Sequence, residues 1–286
     1  MSVLKRRILG FIRIIRPVNG LMMSLAVFVG AWLSLNTPVF PDLLQNLLLG
    51  ALTAFTLSGA SMAINDYCDY EIDKINEPNR PLPSGVVKLE ESLFLAAVMM
   101  LIGLVASLLI NWKILLIALI SISVSTIYAF RGKQTGLPGN MLVSFCVAIP
   151  FIYGSLIVSD IIDLKILLFS AMAFLSNIGR EVTKGIVDVS GDRIKNMRTV
   201  AVIYGEKVAA AVASSMILSA VILSAVPPII GIVSAWFIPF VAITDIGFIL
   251  SSMMLIRNPT RQNAKKVKSL ILLCMLMGMI AFIAGK

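Results

Sequence analysis

Apolar residues occur along this chain of 286 residues in blocks far longer than the amphipathic helices of a soluble protein, and short polar segments separate them. A bilayer core of roughly 30 Å requires about 20 apolar residues per helix, and on that rule the pattern predicts about nine spans. Their expected limits are 18–36, 42–64, 91–110, 112–130, 140–158, 163–187, 206–226, 232–256 and 267–284. The tightest connection is the turn at Asn111 and Trp112. No stretch remains for a separate soluble unit. The expected fold is an all-α integral membrane bundle forming a single domain over residues 1–286.

Composition supports the same class: 58% of residues are hydrophobic and 14% charged, far from the half apolar, quarter charged average of soluble domains. The net charge of +9 would suggest nucleic acid for a soluble protein. In a membrane protein, positive-inside loops and anionic headgroups account for it, so no nucleic acid partner is expected. Lys5, Arg6, Arg7, Arg13 and Arg16 precede the first span without a small-residue cleavage site, which reads as a basic anchor rather than a removed signal. With the N-terminus inside, only Lys113, Lys165 and Lys286 fall outside. The connections Asn36 to Asp42 and Val226 to Ser234 are then external, and the polar segments around 65–90 and 188–205 are cytoplasmic. Cys68, Cys146 and Cys274 show no paired spacing, and the chain has no His, so neither a disulfide framework nor a zinc site is expected.

Two acidic segments fall on that cytoplasmic side. The first contains Asn65, Asp66, Asp69, Glu71 and Asp73, then Lys74, Glu77 and Arg80. If the second span continues through its start, Asp66, Asp69 and Asp73 share one helix face at i, i+3 and i+7. Carboxylates stacked in this way repel unless a cation neutralises them, and oxygen-only ligands suit Mg²⁺. The second segment ends the sixth span. There Asn177, Glu181, Lys184 and Asp188 recur at helical spacing as a polar stripe, with Asp192 one turn on and Gly191 as a point where the helix can loosen. Together the segments hold Asp66, Asp69, Glu71, Asp73, Glu77, Glu181, Asp188 and Asp192, out of 15 acidic residues in the chain. Solvated loop charge is the simpler explanation for either segment alone, but two on one side of a membrane make it a poor one.

These residues resemble the UbiA superfamily of intramembrane prenyltransferases. The first signature of that family is Asn-Asp-x-x-Asp-x-x-x-Asp, here Asn65 to Asp73, and its second is Asp-x-x-x-Asp, here Asp188 to Asp192. The similarity extends to Arg16-Pro17 and Asn19, to Arg80 through Gly85, to Tyr128 with Arg131 and Lys133, and to Asn140. The resemblance implies nine helices around a central cavity with a cytoplasmic cap. It also implies an isoprenyl diphosphate held through Mg²⁺ by both motifs, and prenyl transfer with loss of diphosphate.

Within the family, Arg180 to Asp192 followed by Arg198-Thr199 and Tyr204-Gly205 most resembles members of archaeal ether-lipid synthesis. Those join geranylgeranyl diphosphate to geranylgeranylglyceryl phosphate, a membrane lipid. Gly185 and Val187 depart from acids common in relatives. The first motif is shared with chlorophyll synthases, so chlorophyll-type and quinone-precursor aromatic acceptors stay open.

On this reading Asn65, Asp66, Asp69, Asp73, Asp188 and Asp192 are metal ligands, and those acids with Glu181 are the catalytic set. The substrate-binding candidates are Asn19, Lys74, Arg80, Tyr128, Arg131, Lys133, Asn140, Arg180 and Lys184. Fixed cations and Mg²⁺ would stabilise charge on the departing diphosphate. The base is open among Glu181, a motif acid and the diphosphate itself. Asp245 interrupts the eighth span and is either functional or paired with a cation of the sixth. A transporter is the rival class, but no inverted repeat is evident and the acids gather at one face.

Overall fold

The computed structural model describes residues 3–35, 41–194 and 196–286, all helix, turn or irregular backbone. The helices are α1 (Val3–Ile15), α2 (Pro17–Ser34), α3 (Pro41–Cys68), α4 (Tyr70–Asn76), α5 (Leu89–Ile110), α6 (Trp112–Phe130) and α7 (Leu137–Val158). They continue with α8 (Leu164–Ile194), α9 (Val200–Tyr204), α10 (Glu206–Ser224), α11 (Val226–Ile229), α12 (Phe237–Arg257) and α13 (Arg261–Ala284). Residues 36–40 of the expected Asn36 to Asp42 connection lie outside the described residues.

Eight described helices are long and apolar enough to cross a membrane: α2, α3, α5, α6, α7, α10 extended by α11, α12 and α13. The protein is thus a multi-pass membrane protein. The longest helix, α8 with 31 residues, misses that criterion because its second half carries Arg180, Glu181, Lys184, Asp188 and Asp192. It runs unbroken through Gly185 and Gly191 to Ile194, so the loosening expected at Gly191 does not occur. Continuous hydrogen bonding of the backbone outweighs the intrinsic cost of glycine, which is only about 1 kcal/mol. Between α5 and α6 the turn at Asn111 is as tight as expected. The Asn111 side chain accepts a hydrogen bond from the Ile114 amide at 2.9 Å, capping α6.

Packing neighbours close a ring in the order α2, α3, α6, α7, α8, α10, α12, α13 and back to α2, with α5 against α3 and α6. Helix α2 also packs on α7 across the ring. Glycines make that seam: a Cβ on Gly30 would stand 2.0 Å from the Phe151 carbonyl oxygen, and one on Gly154 1.9 Å from that of Val27. Only glycine permits such an approach, which membrane helices use in place of hydrophobic driving force. Nearby, the buried hydroxyls of Ser34 and Ser155 hydrogen-bond at 2.7 Å.

The connections at the polar end are held by packing and by backbone hydrogen bonds. Leu82 and Val87 are buried with Ile14 of α1 and Ala63 of α3, and this fixes the segment that carries Arg80. On the other side, Gly136 has a φ of 71° and its position would bring a Cβ within 2.2 Å of the Arg198 carbonyl oxygen. The Arg198 amide donates to the Gln134 carbonyl at 3.1 Å. This ties the segment after α8 to the short 3₁₀ turn Gly132–Thr135 that follows α6.

Candidate active site

Helix α3 carries Asn65 and Asp66 to its last turn, breaks at Asp69, and restarts as α4 with Asp73 in its first turn. The break is shallow, since the Asp69 amide still bonds the Asn65 carbonyl at 2.9 Å and the Asp73 amide that of Asp69 at 2.8 Å. Asp66 and Asp73 are consequently both buried and both face Arg80, at 4.0 Å and 2.6 Å. Asp69 turns instead to Lys133, 2.6 Å away. Asp66 has a closer partner in Arg16, also at 2.6 Å. Arg16 sits in the left-handed region with φ 48° immediately before Pro17, a conformation unfavourable for a residue preceding proline. The bend separates α1 from α2 and aims the guanidinium at Asp66. Such strain is found where the surroundings fix a functional group.

Burial pushes the Asp73 carboxyl above its ordinary value, while the Arg80 guanidinium pulls it back. Desolvation and the facing guanidinium thus act on this carboxyl in opposite directions.

Opposite stands α8. Glu181 is buried and each of its oxygens faces a cation: Arg180 at 2.8 Å and Lys184 at 3.4 Å. Asn177, one turn deeper, donates to the Ser144 hydroxyl of α7 at 2.9 Å. Asp188 is exposed to the cavity and Asp192 half exposed. Both acidic segments meet there, in a cavity of about 350 Å³ whose walls include Asp69, Asp73, Arg80, Lys133, Lys184, Asp188 and Asp192. Tyr128 and Asn140 complete it, with Arg261 of α13 at its edge. Arg261 also donates to the Val187 carbonyl at 3.0 Å. Gly185 lines the cavity with open space, since an added Cβ would meet nothing nearer than Thr199 at 3.8 Å.

Tyr128 also borders a second space, an apolar cavity of about 130 Å³ between α2, α3, α6 and α7, which Asn65 borders too. The polar cavity and a greasy pocket therefore share a wall. This suits a ligand with a charged head and an apolar tail.

The first motif offers carboxylate and amide oxygens, and Asn65 Oδ1 is buried without a hydrogen-bond partner. That chemistry fits Mg²⁺. Among the described residues no cluster of three His, Cys, Asp or Glu is close enough to enclose a metal unaided. Mg²⁺ suits this, because it binds through one or two carboxylates and completes its shell with water and substrate phosphate oxygens.

Other candidates sit elsewhere. Lys74 is exposed and pairs with Glu71 at 2.9 Å, and Arg131 is exposed; neither lines the cavity. Asn19 is half-buried against the Met62 sulfur at 3.9 Å. Asp245 does not pair with a cation of α8: it accepts a hydrogen bond from Ser224 of α10 at 2.7 Å. Its turn of α12 faces α10 and leaves only a hydroxyl within reach. Sequence reading did not place Arg16 and Arg261 in the site. The signal for Arg16 was its position before Pro17; Arg261 had none, because only packing brings α13 beside α8.

Comparison with known proteins agrees with this arrangement. The pattern of the UbiA prenyltransferase family matches residues 23–280. Digeranylgeranylglyceryl phosphate synthase of Archaeoglobus fulgidus is 36% identical, covering 100% of this chain and 98% of the relative. A solved structure concerned with digeranylgeranylglyceryl phosphate synthase in membranes superposes with a TM-score of 0.80 at 31% identity, covering 98% of each chain. A UbiA homolog from Archaeoglobus fulgidus, solved bound to GPP and Mg²⁺, shares the fold with a TM-score of 0.69 at 18% identity, over 96% of this chain and 99% of that one. On the match across the transmembrane bundle and both acidic segments, the protein belongs to the UbiA prenyltransferase family.

Proposed function

We propose that this prenyltransferase uses Mg²⁺ to transfer a geranylgeranyl group from geranylgeranyl diphosphate to the free hydroxyl of geranylgeranylglyceryl phosphate, giving digeranylgeranylglyceryl phosphate. The observation that carries the reading is the meeting of both acidic segments on one polar cavity that shares Tyr128 with an apolar one. The name of the full-length relative supports the acceptor.

In this reaction the bond between C1 of the allylic donor and its diphosphate oxygen breaks, and a bond from C1 to the acceptor oxygen forms. Bound Mg²⁺ would withdraw charge from the departing diphosphate. Asn65, Asp66, Asp69, Asp73, Asp188 and Asp192 are the residues to hold it. Arg80, Lys133 and Lys184 line the same cavity and supply fixed positive charge for the phosphate oxygens. The apolar cavity below Tyr128 accommodates part of the donor chain and excludes water from the allylic carbon. Both Glu181 oxygens face cations, so Glu181 anchors Arg180 and Lys184. The acceptor proton passes to the diphosphate.

In this reading the chain is one domain, 1–286, with α8 as a further span, giving nine in all: α2, α3, α5, α6, α7, α8, α10, α12 and α13. The bundle lies in the cell membrane with the N-terminus and polar cavity on the cytoplasmic side, as the Lys and Arg bias requires.

The test is diphosphate release by purified protein from geranylgeranyl diphosphate. Release should require both Mg²⁺ and geranylgeranylglyceryl phosphate and should stop with EDTA. Preference for 4-hydroxybenzoate over the phosphorylated lipid would overturn the acceptor assignment and leave the prenyl transfer standing. Topology is checked separately with cysteine labelling, which should find residues 70–88 and 190–204 cytoplasmic and Lys286 external.

A further inference from the structure

A third space lies among α2, α7, α8, α10, α12 and α13: a mainly apolar cavity of about 70 Å³ lined by residues that include Ser176, Phe248, Met275 and Gly278, with Asp245 on its α12 wall held by the Ser224 hydroxyl. It meets the pocket below Tyr128 only at Met23 and Val147, residues of the α2 and α7 seam. The bundle therefore holds two apolar compartments rather than one.

Helical geometry places two cations towards the polar end of this compartment. Arg180 stands one turn beyond Ser176 on α8, and Lys268 stands two turns before Met275 on α13. Arg180 is 24% exposed and bonded to Glu181 through one terminal nitrogen. Its Nε is buried with no hydrogen-bond partner, an unfavourable arrangement unless something accepts from it. Lys268 is half-buried and in the field of Asp188, Lys184, Arg180 and Glu181. Among the described residues no carboxylate reaches ion-pair distance of Lys268. Three cations, Arg180, Lys184 and Lys268, stand here against two carboxylates, buried Glu181 and Asp188, so positive charge is in excess by one. Cations gathered in low dielectric are costly without an anion.

We propose that Arg180 and Lys268 form the phosphate subsite of the acceptor, with the compartment beneath them taking the first part of its isoprenoid tail, while Lys184, Arg80 and Lys133 serve the donor diphosphate. This rests on the reading of the acceptor given above. The ligand is a phosphate monoester on an apolar chain: one headgroup charge cluster for the cations, and a tail matching the apolar walls. Two compartments separated by the α2 and α7 seam keep the two chains apart and leave their heads to meet in the polar cavity. Lys268 binds the acceptor's headgroup and does not touch the reacting oxygen.

The decisive measurement is steady-state transfer by Lys268→Gln, Lys268→Arg and Gly278→Leu with geranylgeranylglyceryl phosphate and with geranylgeranylglycerol. Gly278 lines the compartment and an added Cβ would meet Thr244 at an ordinary 3.5 Å, so the leucine side chain has its start in open space and takes up volume in the compartment. Lys268→Gln should raise the KM for the phosphorylated acceptor about tenfold, the scale of one charge-assisted contact, with the donor KM unchanged. The preference for phosphorylated over dephosphorylated acceptor should shrink by the same factor, and Lys268→Arg should restore it. Gly278→Leu should raise the KM for both acceptors alike and spare the donor. Unchanged phosphate preference in Lys268→Gln, or an equal rise in donor KM, would overturn the subsite. A wild-type protein that ignores phosphorylated lipid altogether would instead overturn the function proposed above, and this subsite with it.

Discussion

The two banks of the polar cavity carry the same kinds of residue in opposite balance. On the α3 and α4 bank each motif carboxylate has its own cation: Asp66 with Arg16, Asp69 with Lys133 and Asp73 with Arg80, each at 2.6 Å. On the α8 and α13 bank four cations, Arg180, Lys184, Arg261 and Lys268, stand against three carboxylates, Glu181, Asp188 and Asp192, of which only Glu181 is buried between two cations. The first bank is neutral as folded and can exchange its cations for a metal and its phosphates. The second is positive as folded and suits an anion. Burying a charge costs several kcal/mol unless it is paired, so each bank's imbalance, or lack of it, indicates what it binds.

Changes on the neutral bank should have the largest effect. Asp66→Asn removes a buried charge placed for the metal and leaves Arg16 and Arg80 without it. Transfer should fall by about 10²–10³, the scale of losing one preorganised electrostatic contact in a closed site. Helical content should remain and added Mg²⁺ should not restore the rate. Activity near normal in a Mg²⁺-dependent assay would break the contrast between the banks.

Lys184→Gln on the positive bank should cost less, about tenfold, because Arg180 remains beside Glu181. The loss should fall on the donor KM, whereas that of Lys268→Gln falls on the acceptor; equal shifts in both would merge the banks into one undivided anion site. The smallest effect is expected at Gly185. Its Cβ position is open, so Gly185→Ala should leave both KM values within about twofold and raise stability by a few tenths of a kcal/mol through helix propensity. A thermal shift in detergent would check it, and a large loss would show that the cavity is fuller here than its walls suggest.

Much of the molecule was determined by sequence alone, for a local reason. A bilayer span depends on about 20 consecutive residues, so the apolar blocks reported the spans, and the tight turn at Asn111 lay in plain view. The acidic motifs were equally legible, since helical spacing puts Asp66 and Asp73 on one face and Glu181 and Lys184 on one stripe. The rule of about 20 apolar residues also placed a helix at 163–187, where α8 lies, although α8 falls short of the sustained hydropathy met by the other eight helices. Partners were not legible. Arg16 lies 50 positions from Asp66, and Lys133 lies 64 from Asp69; only the bend at Arg16 and the turn after α6 bring them together. Lys74 and Arg131 share the composition of the site residues but are exposed, because their own short elements turn them outward. Asp245 found Ser224 rather than a cation. Arg261 joins the site because α13 packs beside α8. Charge and spacing thus determined which chemistry the chain could hold, and helix packing decided which charges meet, since that depends on contacts between residues far apart in sequence.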